Sequence, residues 1–167
     1  AMRNVVRALK AMIAVGAVLI LLAPAAEANV LDQIVVAHRG GAVTRFGEGT
    51  MKSYKYAVAK QANILEGDIH WTKDSNDSDS VGSILIIHDS TLDRVTNCSG
   101  KVSSWLWTSI RDKCRTDVGK QPLIRLKALV AYAKPLRKTL SINLKNSTIT
   151  SAQAKQRFEA ADWHGQQ

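Results

Sequence analysis

The sequence predicts an α/β fold, a parallel sheet covered by helices, and three observations carry that expectation. Residues 34–37, 64–71, 84–87 and 139–145 are short runs rich in Ile, Leu and Val, as strands buried on one or both faces are. Between them lie segments with helical spacing of apolar residues, so strands and helices alternate. The first three runs also deliver ionisable side chains at or near their C-terminal ends: His38-Arg39, the pair Glu66 and Asp68, and His88-Asp89. Parallel strands of an α/β barrel carry a site at that rim.

Of 167 residues, the first stretch stands apart. Arg3, Arg7 and Lys10 precede a mostly apolar segment, residues 11–25, and Ala26-Glu27-Ala28 supplies the small-x-small pattern a signal peptidase requires. We expect residues 1–28 to be a secretory signal peptide, cut after Ala28, and the protein to be secreted. An uncleaved anchor would need roughly 20 apolar residues, more than this run offers, and no stable membrane span is expected after cleavage. The remaining residues, 29–167, are expected to form one domain.

Taken in order, residues 34–37 read as a strand that Gly40-Gly41 ends, with a loop to Gly49. Thr50 can cap a helix running through Tyr54, Ala57 and Val58. Residues 64–71 form the second strand, 73–83 a polar loop rich in Asp, Ser and Asn, and 84–87 the third strand. Residues 91–100 are turn-rich, and 102–113, with Trp105, Trp107 and Ile110, read as a short helix. Pro122 precedes a helix over 123–134 with Leu126, Leu129, Val130 and Ala133 on one side. Residues 139–145 alternate Leu140, Ile142 and Leu144 as a fourth strand, and Thr150 caps a last helix over 151–161. Cys98 and Cys114 are the only cysteines, and an even pair in an exported chain points to a structural disulfide.

The net charge of +9 suits anionic partners such as phosphate esters or lipid headgroups. Lys and Arg are scattered without interleaved aromatics, so no nucleic-acid partner is expected. Glu66 and Asp68, two apart on a strand, share a face. Two buried like charges need a cation, and hard oxygen ligands select Mg²⁺ or Ca²⁺, although exposed strands also carry such pairs. His70, the next residue on that face, is either a third polar group in the site or a strand-end side chain in solvent. His38 and His88 are either polar strand caps or an acid/base pair, since imidazole titrates near neutrality. Arg39 offers a planar fork for a phosphoryl group, or a surface ion pair.

His38-Arg39-Gly40, Gly47-Glu48-Gly49-Thr50, Glu66-Gly67-Asp68-Ile69 with Thr72-Lys73-Asp74, and His88-Asp89 followed by Thr91-Leu92-Asp93-Arg94 stand in the order and spacing of a known family. With Pro122-Leu123, Leu126 and Leu129, the sequence resembles the glycerophosphodiester phosphodiesterases from about residue 35 to 145. The resemblance implies a TIM-type (β/α) barrel of the phospholipase-C-like kind. Here it would be partial, with about four strands, because the family continues through more of them. It implies a divalent cation and hydrolysis of a small-molecule or lipid-derived glycerophosphodiester to sn-glycerol 3-phosphate and an alcohol. By position, His38 and His88 would be the acid/base pair, Arg39 and Lys73 phosphate contacts, Glu66 and Asp68 metal ligands, and Glu48 a supporting carboxylate. Two positions depart from the family: Asn143 replaces a metal-binding glutamate, and Gly49 replaces an asparagine in the Glu48 loop. A non-catalytic remnant or binding protein, and a sphingomyelinase-like lipid phosphodiesterase, are the competing readings.

Overall fold

A computed structural model describes residues 33–76 and 83–145. The expected signal peptide, most of the polar 73–83 loop and the expected helix over 151–161 lie outside the described residues. The described part belongs to a compact unit that begins at Ile34.

Strand β1 is Val36–Ala37, and the Gly40-Gly41 turn that ends it opens into a short helix α1, Val43–Phe46, where a loop was expected. Helix α2, Met51–Ala59, starts where the sequence indicates: the Thr50 hydroxyl accepts a hydrogen bond from the Ser53 N–H at 3.3 Å. Strand β2, Ile64–Trp71, matches its expected span. Strand β3 is Ile84–Ile86, helix α3 Trp107–Lys113, helix α4 Leu126–Ala133 and strand β4 Thr139–Leu144.

All three other strands pair with β2. β1 and β4 run parallel to it, as expected; β3 runs antiparallel, with Ile69 opposite Ile86 and Trp71 opposite Ile84. Ile69 pairs with both Leu144 and Ile86, while Ile64 and Leu65 pair with both β1 and β4, so β1 and β3 share one edge of β2 and β4 takes the other. The uninterrupted apolar run 84–87 signals burial on both faces, and both faces are buried, but for a different reason. Ile84 and Ile86 enter the main core with Tyr54, Leu65, Ile69, Trp71, Leu126 and Leu129. Leu85 and Ile87 enter a second core with Leu92, Val102, Ile110, Cys114 and Leu123. A strand between two cores needs the same residues as a strand inside a parallel sheet, so composition does not reveal its direction.

Two helices begin later than their apolar spacing suggests. Only a 3₁₀ turn, Val102–Ser104, forms before Trp105 turns extended. The extended geometry lets the Trp105 carbonyl accept from the Lys73 N–H at 2.9 Å and leaves Asp74 Oδ1 to receive the Trp107 N–H at 3.2 Å, capping α3. Residues before Leu126 stay extended because the Ile86 N–H donates to the Ile124 carbonyl at 3.0 Å. Sheet pairing there outweighs helix propensity. A disulfide joins Cys98 to Cys114 with Cα atoms 5.5 Å apart, closing the loop around the second core. Among the described residues no helix is long and apolar enough to cross a membrane.

Candidate active site

Alternation along β2 puts Leu65, Ile69 and Trp71 into the core and turns Glu66, Asp68 and His70 to the opposite face. The tight turn after β1 aims a backbone donor at that face. Arg39 has φ 53°, a left-handed conformation in which its N–H donates to Glu66 Oε2 at 2.7 Å. Such strain in a non-glycine residue persists only where surrounding contacts hold it. The Arg39 guanidinium supplies those contacts, with Nη1 3.4 Å from Glu48 Oε2 and Nε 3.5 Å from Asp68 Oδ2.

β3 brings in the second histidine because it runs backwards. The Ile87 N–H donates to the Asp68 carbonyl at 2.9 Å, so His88 stands beside the middle of β2, level with the two carboxylates. The His88 N–H reaches Glu48 Oε1 at 3.4 Å, and His70 Nε2 donates to the His88 carbonyl at 3.1 Å. The His88 ring is oriented by its neighbour: Nδ1 lies 2.6 Å from Asp89 Oδ1. Arg94 completes the cluster, donating from Nε to Asp89 Oδ2 at 2.5 Å and from Nη2 to both oxygens of buried Glu48 at 3.0 Å. Hydrogen bonds from Arg94 hold the Asp89 carboxyl well below the usual carboxylate range against the opposing effect of burial, and the hydrogen bond with His88 adds to them. With Asp89 ionised and accepting from Nδ1–H, Nε2 is the His88 nitrogen left for chemistry.

The structure therefore brings Arg39, Glu48, Glu66, Asp68 and His88 together, and His38 joins Arg39, Glu48 and Arg94 in the wall of a cleft of about 340 Å³. Lys73 does not line this cleft: it is exposed in the turn after β2. The lysine beside the carboxylates is Lys145, with Nζ 3.1 Å from Asp68 Oδ1. His70 is half-buried against the site rather than free at a strand end, and burial lowers its pKa. Asp89, Arg94 and Lys145 were missed as site residues, although for Asp89 and Arg94 the motif contained the signal. An acid directly after a strand-end histidine and an arginine five positions on can pair only if the loop turns back.

Oxygens that could hold a hard cation stand on the β2 face. Asp68 Oδ2 is buried and forms no hydrogen bond, its contact being the long 3.5 Å ion pair with Arg39 Nε, so a cation could draw on this oxygen. Asn143 pairs in register with Asp68, and in-register neighbours on parallel strands point to the same side, so its amide stands beside that carboxylate. Among the described residues no three His, Cys, Asp or Glu side chains form a metal-binding group. The third oxygen in this set is an amide.

Comparison with known proteins places the chain in a family. The model of the glycerophosphoryl diester phosphodiesterase family matches residues 38–161. The chain belongs to that family. A glycerophosphodiester phosphodiesterase of Caldanaerobacter subterraneus subsp. tengcongensis is 35% identical over 81 residues, covering 48% of this chain and 30% of its own. A solved glycerophosphodiester phosphodiesterase from Agrobacterium tumefaciens superposes with a TM-score of 0.61 at 25% identity, over 78% of this chain and 54% of that one. A phosphodiesterase from Oleispira antarctica, solved with the product sn-glycerol-3-phosphate, gives a TM-score of 0.63 at 18% identity, over 79% and 53%. The chain spans about half or less of the length of these proteins, and its four-stranded sheet with helices is the corresponding part of their α/β barrel.

Proposed function

We propose that this chain hydrolyses glycerophosphodiesters to sn-glycerol 3-phosphate and an alcohol, with His38 and His88 as acid and base and a bound Mg²⁺ or Ca²⁺. The observation that carries the reading is the position of Arg39, whose N–H and guanidinium contact Glu66, Glu48 and Asp68 and which shares one cleft wall with His38 and another with His88. A phosphodiesterase of similar fold, solved in complex with the product sn-glycerol-3-phosphate, supports the product.

Hydrolysis needs a proton removed from the attacking water and a proton given to the departing alcohol oxygen as the new P–O bond replaces the old one. Two imidazoles at opposite sides of one phosphoryl position meet both needs. Arg39 offers charged donors to the phosphoryl oxygens. Asp89 fixes the His88 ring, and Glu48 holds Arg39 and Arg94. Glu66, Asp68 and Asn143 would hold the cation, whose charge would polarise a phosphoryl oxygen. An amide in place of a third carboxylate gives a weaker cation site and slow turnover.

Export is part of this proposal. The Cys98–Cys114 bond supports an oxidising compartment, together with the basic and apolar pattern of residues 1–28.

The test is release of sn-glycerol 3-phosphate from a glycerophosphodiester by the purified chain, with and without added Mg²⁺ or Ca²⁺. Hydrolysis should require the cation, and His38→Ala and His88→Ala should each lower kcat by about 10²-fold or more. No hydrolysis at saturating cation would favour a non-catalytic diester-binding protein, the reading that Asn143 supports.

A further inference from the structure

Charge is spread unevenly over the chain. Residues 49–65 and 118–145, which hold helices α2 and α4, contain three and seven Lys or Arg residues respectively and no Asp or Glu. On the loop side, Arg94, Arg111 and Lys120 pair with Asp89, Asp112 and Asp117. On α2 the cations lie against aromatic rings instead. Lys52, Tyr56 and Lys60 follow one another at i, i+4 spacing and share a stripe, with Lys55 beside it, and all three lysines are exposed. Lys52 Nζ lies 5.1 Å from the centre of the Phe46 ring, and Lys60 Nζ 5.8 Å from that of Tyr56. The Arg45 guanidinium lies 5.2 Å from Phe46 and 5.3 Å from Tyr56, and Lys55 Nζ 5.9 Å from Tyr132 of α4. A ring holds a cation in place without neutralising it. The turn after α4 lies at the same end as the turn after α2, since the Thr139 N–H donates to the Asn63 carbonyl. It adds Arg137 and Lys138 beside Leu136, which is 44% exposed.

We propose that the outer face of α2 and α4, with Arg45 of α1, docks this protein on an anionic lipid bilayer. Arg45, Lys52, Lys55 and Lys60 meet headgroup phosphates, and Leu136 enters the headgroup layer. The inference is independent of the phosphodiesterase reading. A planar anionic surface meets several cations at once without a shaped pocket, and each Lys or Arg brought to it raises the partition coefficient about fivefold. Amphipathic rings such as Tyr56 and Tyr132 suit the depth of the headgroups. A single-stranded nucleic acid would instead need open ring faces on which to stack its bases. Phe46 and Tyr56 each have two cations against them, so they offer no such platform. The placement also leaves the candidate active site clear. Tyr54 of α2 and Leu126 and Leu129 of α4 pack with Leu65 and Ile69 of β2, while Glu66 and Asp68 face the other way. A protein resting on its helices keeps that face of the sheet toward water.

The test is co-sedimentation of the full chain with vesicles of equal parts phosphatidylcholine and phosphatidylglycerol, or of phosphatidylcholine alone. At about 0.05 M salt the anionic vesicles should bind at least about tenfold more tightly than the neutral ones, and about 0.5 M salt should remove most of that difference by screening. Lys52→Gln with Lys55→Gln and Lys60→Gln should weaken binding to the anionic vesicles on the order of 10²-fold, three steps of about fivefold. Gln has nearly the helix propensity of Lys, so the far-UV circular dichroism should be unchanged. Arg111→Gln with Lys113→Gln and Lys120→Gln removes the same charge from the loop side and should alter binding by no more than about threefold. Leu136→Ser, a separate variant that keeps every charge, should weaken binding severalfold. Residues 1–28 are common to all these chains, so any contribution from them cancels between variants. No binding to the anionic vesicles, equal binding to both kinds, binding that survives the lysine variant, or equal losses in the two triple variants would overturn the assignment. So would displacement from the vesicles by a single-stranded oligonucleotide at equal charge concentration, which would make the face a nucleic-acid surface.

Discussion

His88 is held by its neighbours in sequence and by a loop that folds back on it: Asp89 accepts a hydrogen bond from its Nδ1–H, and Arg94 fixes Asp89 while reaching Glu48. Asp89→Asn should therefore lower kcat by on the order of tenfold or more, with little change in KM, because a neutral amide can hold the ring in either tautomer. The same substitution has a signature in stability. Arg94 depresses the Asp89 pKa in the folded state, so this pairing stabilises the fold fully above the unfolded value of about 3.9 and is lost as pH falls below it. Urea midpoints measured from pH 6 down to pH 2 should fall less steeply in Asp89→Asn than in the wild type; parallel curves would show that Asp89 is not the linked group. On the neighbouring strand, Asn143 stands in register with Asp68, whose Oδ2 forms no hydrogen bond. Asn143→Glu should tighten Mg²⁺ binding by about tenfold, read as the cation concentration that raises the melting temperature halfway. An unchanged midpoint would mean that residue 143 does not face the cation.

Between elements, the loop carrying Glu48 is fastened without the asparagine that the family has at position 49. The Gly49 N–H donates to the Arg39 carbonyl at 3.1 Å, and the Thr50 hydroxyl reaches the Phe46 and Gly47 carbonyls at 3.2 Å. Gly49 has φ +63°, and a Cβ there would lie 2.5 Å from the Ile86 carbonyl oxygen, so β3 packs where a side chain would have to begin. Gly49→Asn should destabilise the chain by about 1–3 kcal/mol in urea unfolding and shift His88, rather than restore a family contact. A variant as stable as the wild type would show that β3 can move away. The sequence made the residues of this site legible because strand ends and the β2 alternation are local: Glu66, Asp68 and the cap at Thr50 follow from spacing alone. The direction of β3 was not legible, since both-face burial looks the same whichever way a strand runs. Lys145 was not legible either, because it reaches the cluster only through pairing of β4 with β2. Lys73 illustrates the reverse: adjacent in sequence to β2, it lies in an exposed turn away from the cluster.

At the scale of the molecule, the sheet is organised on one strand, and β1 and β4 pair with nothing but β2 among the described residues. β1 continues back through Ile34, Val35 and Val36, whose exposures are 73%, 44% and 50%, so an apolar, partly unpaired edge faces solvent. Such an edge is a template for pairing with another chain. The net charge of +9 opposes that approach, because identical chains repel one another at low ionic strength. The two effects respond to salt in opposite ways. The Debye length falls from about 30 Å at 0.01 M to about 8 Å at 0.15 M, which screens the repulsion and leaves the apolar edge intact. Sedimentation velocity of the full chain should therefore show self-association that grows from low to moderate salt. Ile34→Lys with Val36→Lys places charge on the edge and should suppress the salt-induced species while retaining the far-UV circular dichroism of the wild type. A chain that stays monomeric across the salt range would mean that this edge is covered, and association that persists in the double variant would place the contact elsewhere, with the outer edge of β4 the next segment to charge.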